Sequence, residues 1–291
     1  MERESVRSLQ KMPMKNKVAY CQLLTMMVKL EQPLDKLKIM ELYRLMANIR
    51  IPLRNRKEVI SFLLEGQQES EILCKSMMED VNPQERNILR FSLAKDLMII
   101  EGVNSTDSDR EKEFLEEIEG ILEISKDQKK FLEEEYKKDR SFYKDEEKAK
   151  LNNELQKETV ATALALGIPL SLVYFSGYYW GMGTLGVLSG LEEIGLRKRT
   201  KRYSAAIGLG VTILTAFTTY HLVKGLWGYI RKNHFEIQDL IKEEMELIHQ
   251  RALKYLEKDI EALREEPQQQ AVGQLLMDTL SYMRKTRARI I

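Results

Sequence analysis

Cysteine is nearly missing from this chain of 291 residues: Cys21 and Cys74 are the only two. They lie far apart in apolar helical patterns, which argues against a disulfide framework and points to buried thiols. The three histidines, His221, His234 and His249, have no metal-ligand spacing and no paired cysteine or carboxylate motif. Six prolines are scattered and form no Pro-rich linker. Net charge is almost absent too, at +1, which argues against a nucleic-acid binder, whose footprint is a basic face or a raised isoelectric point. No phosphate-cradling glycine loop precedes a Lys-Ser/Thr. Gly181-x-Gly183-x-x-Gly186 matches a dinucleotide fingerprint in letters only, because it lies in an apolar run with no strand before it. No nucleophile elbow occurs. The chain is therefore expected to be non-enzymatic, with no small-molecule substrate or cofactor evident. The charged N-terminus is followed by no apolar run of signal-peptide length before Val18, so the first domain is expected to be cytoplasmic.

What the chain has is a stretch without charge. Asp, Glu, Lys and Arg make up 31% of the residues, yet none falls in 159–191. A basic knot follows (Arg197, Lys198, Arg199, Lys201, Arg202), then a second uncharged stretch from Ser204 to Val223. About 20 apolar residues suffice to cross a bilayer as a helix. Residues 159–230 are read as a glycine-rich membrane hairpin, transmembrane or membrane-associated. Tyr174, Phe175, Tyr178, Tyr179 and Trp180 end the first span, and Tyr220, Trp227 and Tyr229 flank the second, where aromatic rings favour the headgroup level. Gly177-x-x-x-Gly181 and Gly186-x-x-x-Gly190 match the small-residue spacing that lets helices approach closely, within the hairpin or between copies. Two full crossings would place the basic knot on the far side, against the positive-inside rule. A re-entrant hairpin would keep it in the cytoplasm, where it would bind anionic lipid. A third arrangement buries both runs within protein. These stand open at this point.

The first domain, residues 13–150, is expected to be all-α. Val18, Leu23, Leu24, Met27 and Val28 predict an amphipathic helix over 15–31, ended by Pro33. Asp35 is placed to cap the next, and Ile51-Pro52 breaks that one. Further helices are expected at 56–65, stopped by Gly66, and from Glu71 to Met78. Asn82-Pro83-Gln84-Glu85 is a capping box with proline at the first helical position, opening a helix that runs to Gly102. Another spans Asp109–Ile124, and Ser125 with Gln128 forms a second capping box for a helix reaching as far as Leu155.

Two segments echo each other. Residues 18–46 give an apolar helix, Glu31, a short turn and a second helix; residues 88–118 give Met98-Ile99-Ile100, Glu101-Gly102, a polar turn and EKEFLEEIEGIL. This arrangement over about 15–140 resembles the TerB-like (tellurite-resistance) helical family, whose two pseudo-symmetric halves each carry a helix ending in an acidic turn. The second half matches better; the first has Glu31-Gln32 where the family shows Asp-Gly. The resemblance implies a role in bacterial stress response or antiphage defence, beside membranes and with partner proteins. It also implies a divalent metal at the acidic turns, for which the candidates are Glu31, Asp35, Glu101, Asp107, Asp109 and Glu113. Helix capping accounts for Ser105 to Asp109 without any metal, since acidic side chains stabilise a helix N-terminus.

The tail, 231–291, carries Ile237, Leu240, Ile241, Met245, Ile248, Ala252, Leu256, Ile260 and Leu263 as one stripe, which needs a partner surface on the first domain or on another copy. Glu266-Pro267 interrupts it, and a short helix from Val272 to Met283 follows. The expected function is a protein of the cell membrane whose cytoplasmic helical module senses or docks a partner protein. Two other classes fit the same sequence: a membrane-permeabilising effector that oligomerises through the hairpin, and a soluble scaffold subunit.

Overall fold

The computed structural model describes residues 7, 9–66, 68–104, 108–142, 162–163, 165–168, 234–264 and 270–286. The regular elements among these residues are all helices, joined by turns, with no strand among them. A 3-10 turn (Leu9–Lys11) precedes α1 (Met14–Lys29), α2 (Lys36–Asn48), α3 (Leu53–Glu65), α4 (Ser70–Met77), α5 (Pro83–Gly102), α6 (Asp109–Ile121), α7 (Lys126–Phe142), α8 (His234–Leu263) and α9 (Gln270–Thr286). Among the described residues no helix is long and apolar enough to cross a membrane. Nearly all of the expected hairpin, with Gly177, Trp180, Gly181, Gly186, Gly190 and Trp227, and the basic knot Arg197, Lys198, Arg199, Lys201 and Arg202, lies outside the described residues.

The chain forms two compact units. One comprises Met1–Met12, Asp80–Lys95 and Ile124–Glu246; the other comprises Pro13–Glu79, Asp96–Glu123 and Leu247–Ile291.

In the first unit both capping boxes form. Glu85 N donates to Asn82 Oδ1 at 2.8 Å, and Asn82 N donates to Glu85 Oε2 at 3.2 Å. Ser125 and Gln128 make the same reciprocal pair at 2.9 and 3.2 Å. Glu85 is fully buried, and Arg7 donates to it from its backbone N–H and from its guanidinium, each at 2.8 Å. Burial alone would raise the Glu85 pKa, but the hydrogen bonds from Arg7 and Asn82 hold it below the ordinary carboxylate value. A carboxylate depressed on folding contributes stability that is present above its unfolded pKa and is lost as pH falls through the folded one. Glu85→Gln is therefore expected to lower stability at neutral pH and to flatten its loss in acid. Urea midpoints measured from neutral pH down through the carboxylate range check this.

In the second unit α1 is the central helix, packed against α2, α3 and α4. It was expected to be amphipathic, and it is not. Val18, Ala19, Tyr20, Cys21, Leu23, Leu24, Met27 and Val28 are at most 5% exposed, and the polar residues between them are buried as well. Those polar groups find partners inside: Asn16 Nδ2 donates to the carbonyls of Met77 and Glu79, Lys17 Nζ to Ile49 O, and Thr25 Oγ1 to Cys21 O. A helix ringed by partners buries every face. Tyr20 Oη donates to Asp96 Oδ2 at 2.6 Å. Both thiols are free and buried, and burial pushes Cys74 up to about 12, with the charge of Glu117 adding to it.

The α2–α3 corner closes with Arg50 in the left-handed region (φ 58°) and Ile51 N donating back to Met46 O at 2.9 Å. This six-to-one bond is the Schellman closure of a helix C-terminus. Helix α3 then begins at Leu53, directly after Pro52, three residues earlier than the periodicity predicts.

The tail stripe finds its partner within this same unit. Ile248, Ala252, Leu256 and Ile260 are buried, and α9 packs on α2. Arg251 Nη1 donates to Ala47 O at 3.0 Å.

Candidate functional site

The acidic turns expected from the sequence come together in the second unit. Helix α1 ends at Lys29, the chain turns through Glu31 and Pro33, and Asp35 caps α2 by accepting from Leu37 N. The second turn follows α5 and carries Asn104. Asn104 Nδ2 donates to Glu31 Oε2 at 2.8 Å and to Asp35 Oδ2 at 2.9 Å, so one amide ties the two turns. Beneath them lies Lys38, with no exposed surface. Its ammonium sits 2.7 Å from Glu31 Oε2 and also pairs with Glu111, which is equally buried.

Burial works against the Lys38 charge, but hydrogen bonds to Glu111 and Glu31 hold its pKa above the ordinary lysine value. Glu111 is raised, first by burial and then by the like charges of Glu31 and Glu101, with Lys38 opposing. Two acceptor atoms here have no partner: Glu111 Oε2 and Asn104 Oδ1.

Of the six metal candidates, Glu31 and Asp35 meet, and Glu101 is close enough to act on Glu111. Asp109 and Glu113 are exposed on α6, and Asp107 lies outside the described residues. Ser108 occupies the N-cap of α6 without a side-chain capping bond, while Asp109 and Glu111 stand in the first turn. Among the described residues no group of three or more His, Cys, Asp or Glu is placed to hold a metal ion. A divalent ion does not fit the centre as it stands, because a lysine ammonium holds the position between the carboxylates.

The residues that complete the centre, Lys38, Glu111 and Asn104, were not singled out in the sequence. A signal was present. Lys38 shares a helix face with Leu42 and Leu45, and Glu111 shares one with Phe114, Leu115 and Ile118, all core residues. A cation and an anion at core positions of two helices imply one another, since buried charges are paired.

A separate cleft of about 510 Å³ is lined by Met26, Lys29, Leu30, Phe62, Gly66 and Phe114. The Lys29 ammonium caps α3, donating to Phe62 O at 3.1 Å and Gly66 O at 2.7 Å, where the helix dipole is negative. A Cβ at Gly66 would stand 2.2 Å from the Phe62 ring. Gly66→Ala is accordingly expected to displace that ring and cost about 1–3 kcal/mol, read as a lower urea midpoint at unchanged slope.

The chain matches no family model, no characterised protein and no solved structure.

Proposed function

We propose that this chain is a non-enzymatic, membrane-associated docking protein of a bacterial stress or antiphage response. In this reading the TerB-like helical module faces the cytoplasm and the apolar stretch 159–230 holds it at the cell membrane. The observation that supports the module's role is the meeting of the two acidic turns: one from each echoing segment, tied through Asn104 and resting on Lys38. A fold that brings two distant turns to one place presents a preformed surface for a partner protein. The membrane assignment rests on the uncharged run of 159–191 and on Ser204–Val223.

The test is fractionation of cells expressing the full chain, followed by a carbonate wash. Retention in the membrane pellet is expected. Recovery of the chain as a monodisperse species in detergent-free buffer would sink the membrane reading. A plating assay under tellurite or phage challenge then tests the module. Asn104→Ala is expected to leave the chain in the pellet and abolish any protection the intact chain gives.

The glycine spacing at Gly177, Gly181, Gly186 and Gly190 favours a second reading, in which the hairpin oligomerises and permeabilises the membrane. Dye entry into cells expressing residues 150–235 alone would favour it, and intact dye exclusion would remove it.

A further inference from the structure

The geometry points to a small-molecule site in the cleft beside Lys29, one that takes a carboxylate with a compact apolar body, such as an aryl-alkanoate. The residues of this cleft take no part in the meeting of the acidic turns or in the apolar stretch 159–230. The inference and the preceding reading therefore stand or fall separately.

The cleft lies within the second unit, where the C-terminal ends of α1 and α3 come beside α6. Met26 and Leu30 line it from the end of α1, Phe62 from the last turn of α3, and Phe114 from α6. Phe62 and Phe114 are 8% and 6% exposed, so the core already holds both rings in place. Met26 and Leu30 are half-buried and leave apolar surface for a ligand to cover. A volume of about 510 Å³ falls inside the range of small-molecule sites, roughly 300–1,000 Å³. Such sites combine apolar walls with a few fixed polar groups, and an unbranched thioether such as Met26 adapts to the shape of what it covers.

One charge stands in this cleft without a counterion. Lys29 Nζ donates to two neutral acceptors, Phe62 O at 3.1 Å and Gly66 O at 2.7 Å, and lies 5.5 Å from the centre of the Phe62 ring. Among the described residues no carboxylate pairs with it, whereas the buried Lys38 is held by Glu31 and Glu111. Burial lowers the Lys29 pKa, which is the mark of a cation losing water without gaining an anion. Glu69 also lines the cleft, but it is exposed and forms no ion pair with the lysine. An ammonium has three N–H donors, and two are taken by the carbonyls. The third is left for an anion. A single carboxylate satisfies it, and an apolar body attached to that carboxylate covers Met26, Leu30 and the two rings. A neutral molecule of the same shape would meet the walls and leave the charge as it is. Nothing in the sequence announces this site, because its parts come from segments between residues 26 and 114 that only the fold brings together.

The experiment uses the full chain in lipid nanodiscs, with empty nanodiscs as the blank, or in plain buffer if the chain is soluble there. The probe is 4-phenylbutyrate, and 4-phenylbutanamide is its neutral twin. Calorimetric titration of the wild type is expected to saturate at one acid per chain with a Kd of about 10⁻³ M, the class open to a ligand of a dozen heavy atoms. The amide is expected to bind about tenfold more weakly, because it forfeits the charged hydrogen bond. Lys29→Arg is expected to keep the preference for the acid, and Lys29→Met to bind acid and amide alike. Met26→Trp fills the cleft without altering the ammonium and is expected to abolish saturable binding of both. Melting curves of each variant check that it is folded, since Lys29→Met also uncaps α3. If a variant fails to fold, the wild type's preference for acid over amide decides alone. No saturable heat from the wild type at ten times the expected Kd would overturn the proposal. So would equal binding of acid and amide by the wild type, or undiminished binding by a folded Met26→Trp chain.

Discussion

Arg56→Ala is expected to remove about 3–5 kcal/mol of folding stability, enough to threaten the whole second unit, because it strands a buried aspartate. The guanidinium is 2% exposed and bonds Asp259 twice, from Nε at 2.9 Å and from Nη2 at 2.7 Å. Its remaining nitrogen donates to Ile51 O at 3.0 Å, and the plane stacks 3.8 Å from the centre of the Tyr255 ring. Tyr43 Oη donates to the same carboxylate at 3.0 Å. A fork this well satisfied is geometrically specific, and a lysine would not replace it. Asp259→Ala should cost as much, because it leaves the arginine unpaired. Arg56→Met with Asp259→Leu should cost much less than either single change, since an apolar pair leaves no buried charge. Tyr43→Phe removes one hydrogen bond and should cost about 1 kcal/mol. Urea unfolding of the four variants measures these differences. Equal costs for the double and single changes would show that packing, and not charge, holds this contact.

That network marks the boundary of what the sequence discloses. The capping boxes at Asn82–Glu85 and Ser125–Gln128 are legible because their chemistry lies within four residues and depends on no distant group. Asp35 at the start of α2 is legible for the same reason. The helical stripe of the tail is legible too, but its partner is not: Arg56 and Asp259 stand 203 residues apart, and periodicity says which face is apolar without saying what covers it. The central helix α1 misleads in the opposite way. Asn16, Gln22 and Thr25 read as a solvent face, and only the surrounding helices turn that face inward. At the candidate site, the acidic turns are visible as motifs, and Glu31 and Asp35 do meet. Lys38 is hidden, because a lysine in a helix reads as a solvated side chain until a buried carboxylate appears opposite it.

Deleting the tail should have the largest effect of all. A fragment 7–142, close to the first domain that the sequence places at 13–150, lacks α8 and α9. With them go the buried side chains Ile248, Leu253, Leu256, Ile260, Val272, Leu276 and Met283. Each is worth about 1.5–3 kcal/mol when fully buried, so their sum is comparable to the whole stability of an ordinary domain, about 5–15 kcal/mol. The cut also opens Arg56 and Tyr43 to water without Asp259, and it strips α9 from α2, the helix that carries Lys38. The fragment is expected to keep helical far-ultraviolet dichroism, lose the near-ultraviolet signal of fixed aromatic packing, and melt without a cooperative transition. Supplying residues 247–286 as a separate peptide should restore the transition at peptide concentrations that saturate the site. A fragment 7–142 that unfolds cooperatively at the midpoint of the full chain would refute this, and would return the tail to the status of an appendage seeking a partner elsewhere. If the fragment collapses and the peptide rescues it, the second unit is one folded body built from segments at both ends of the chain.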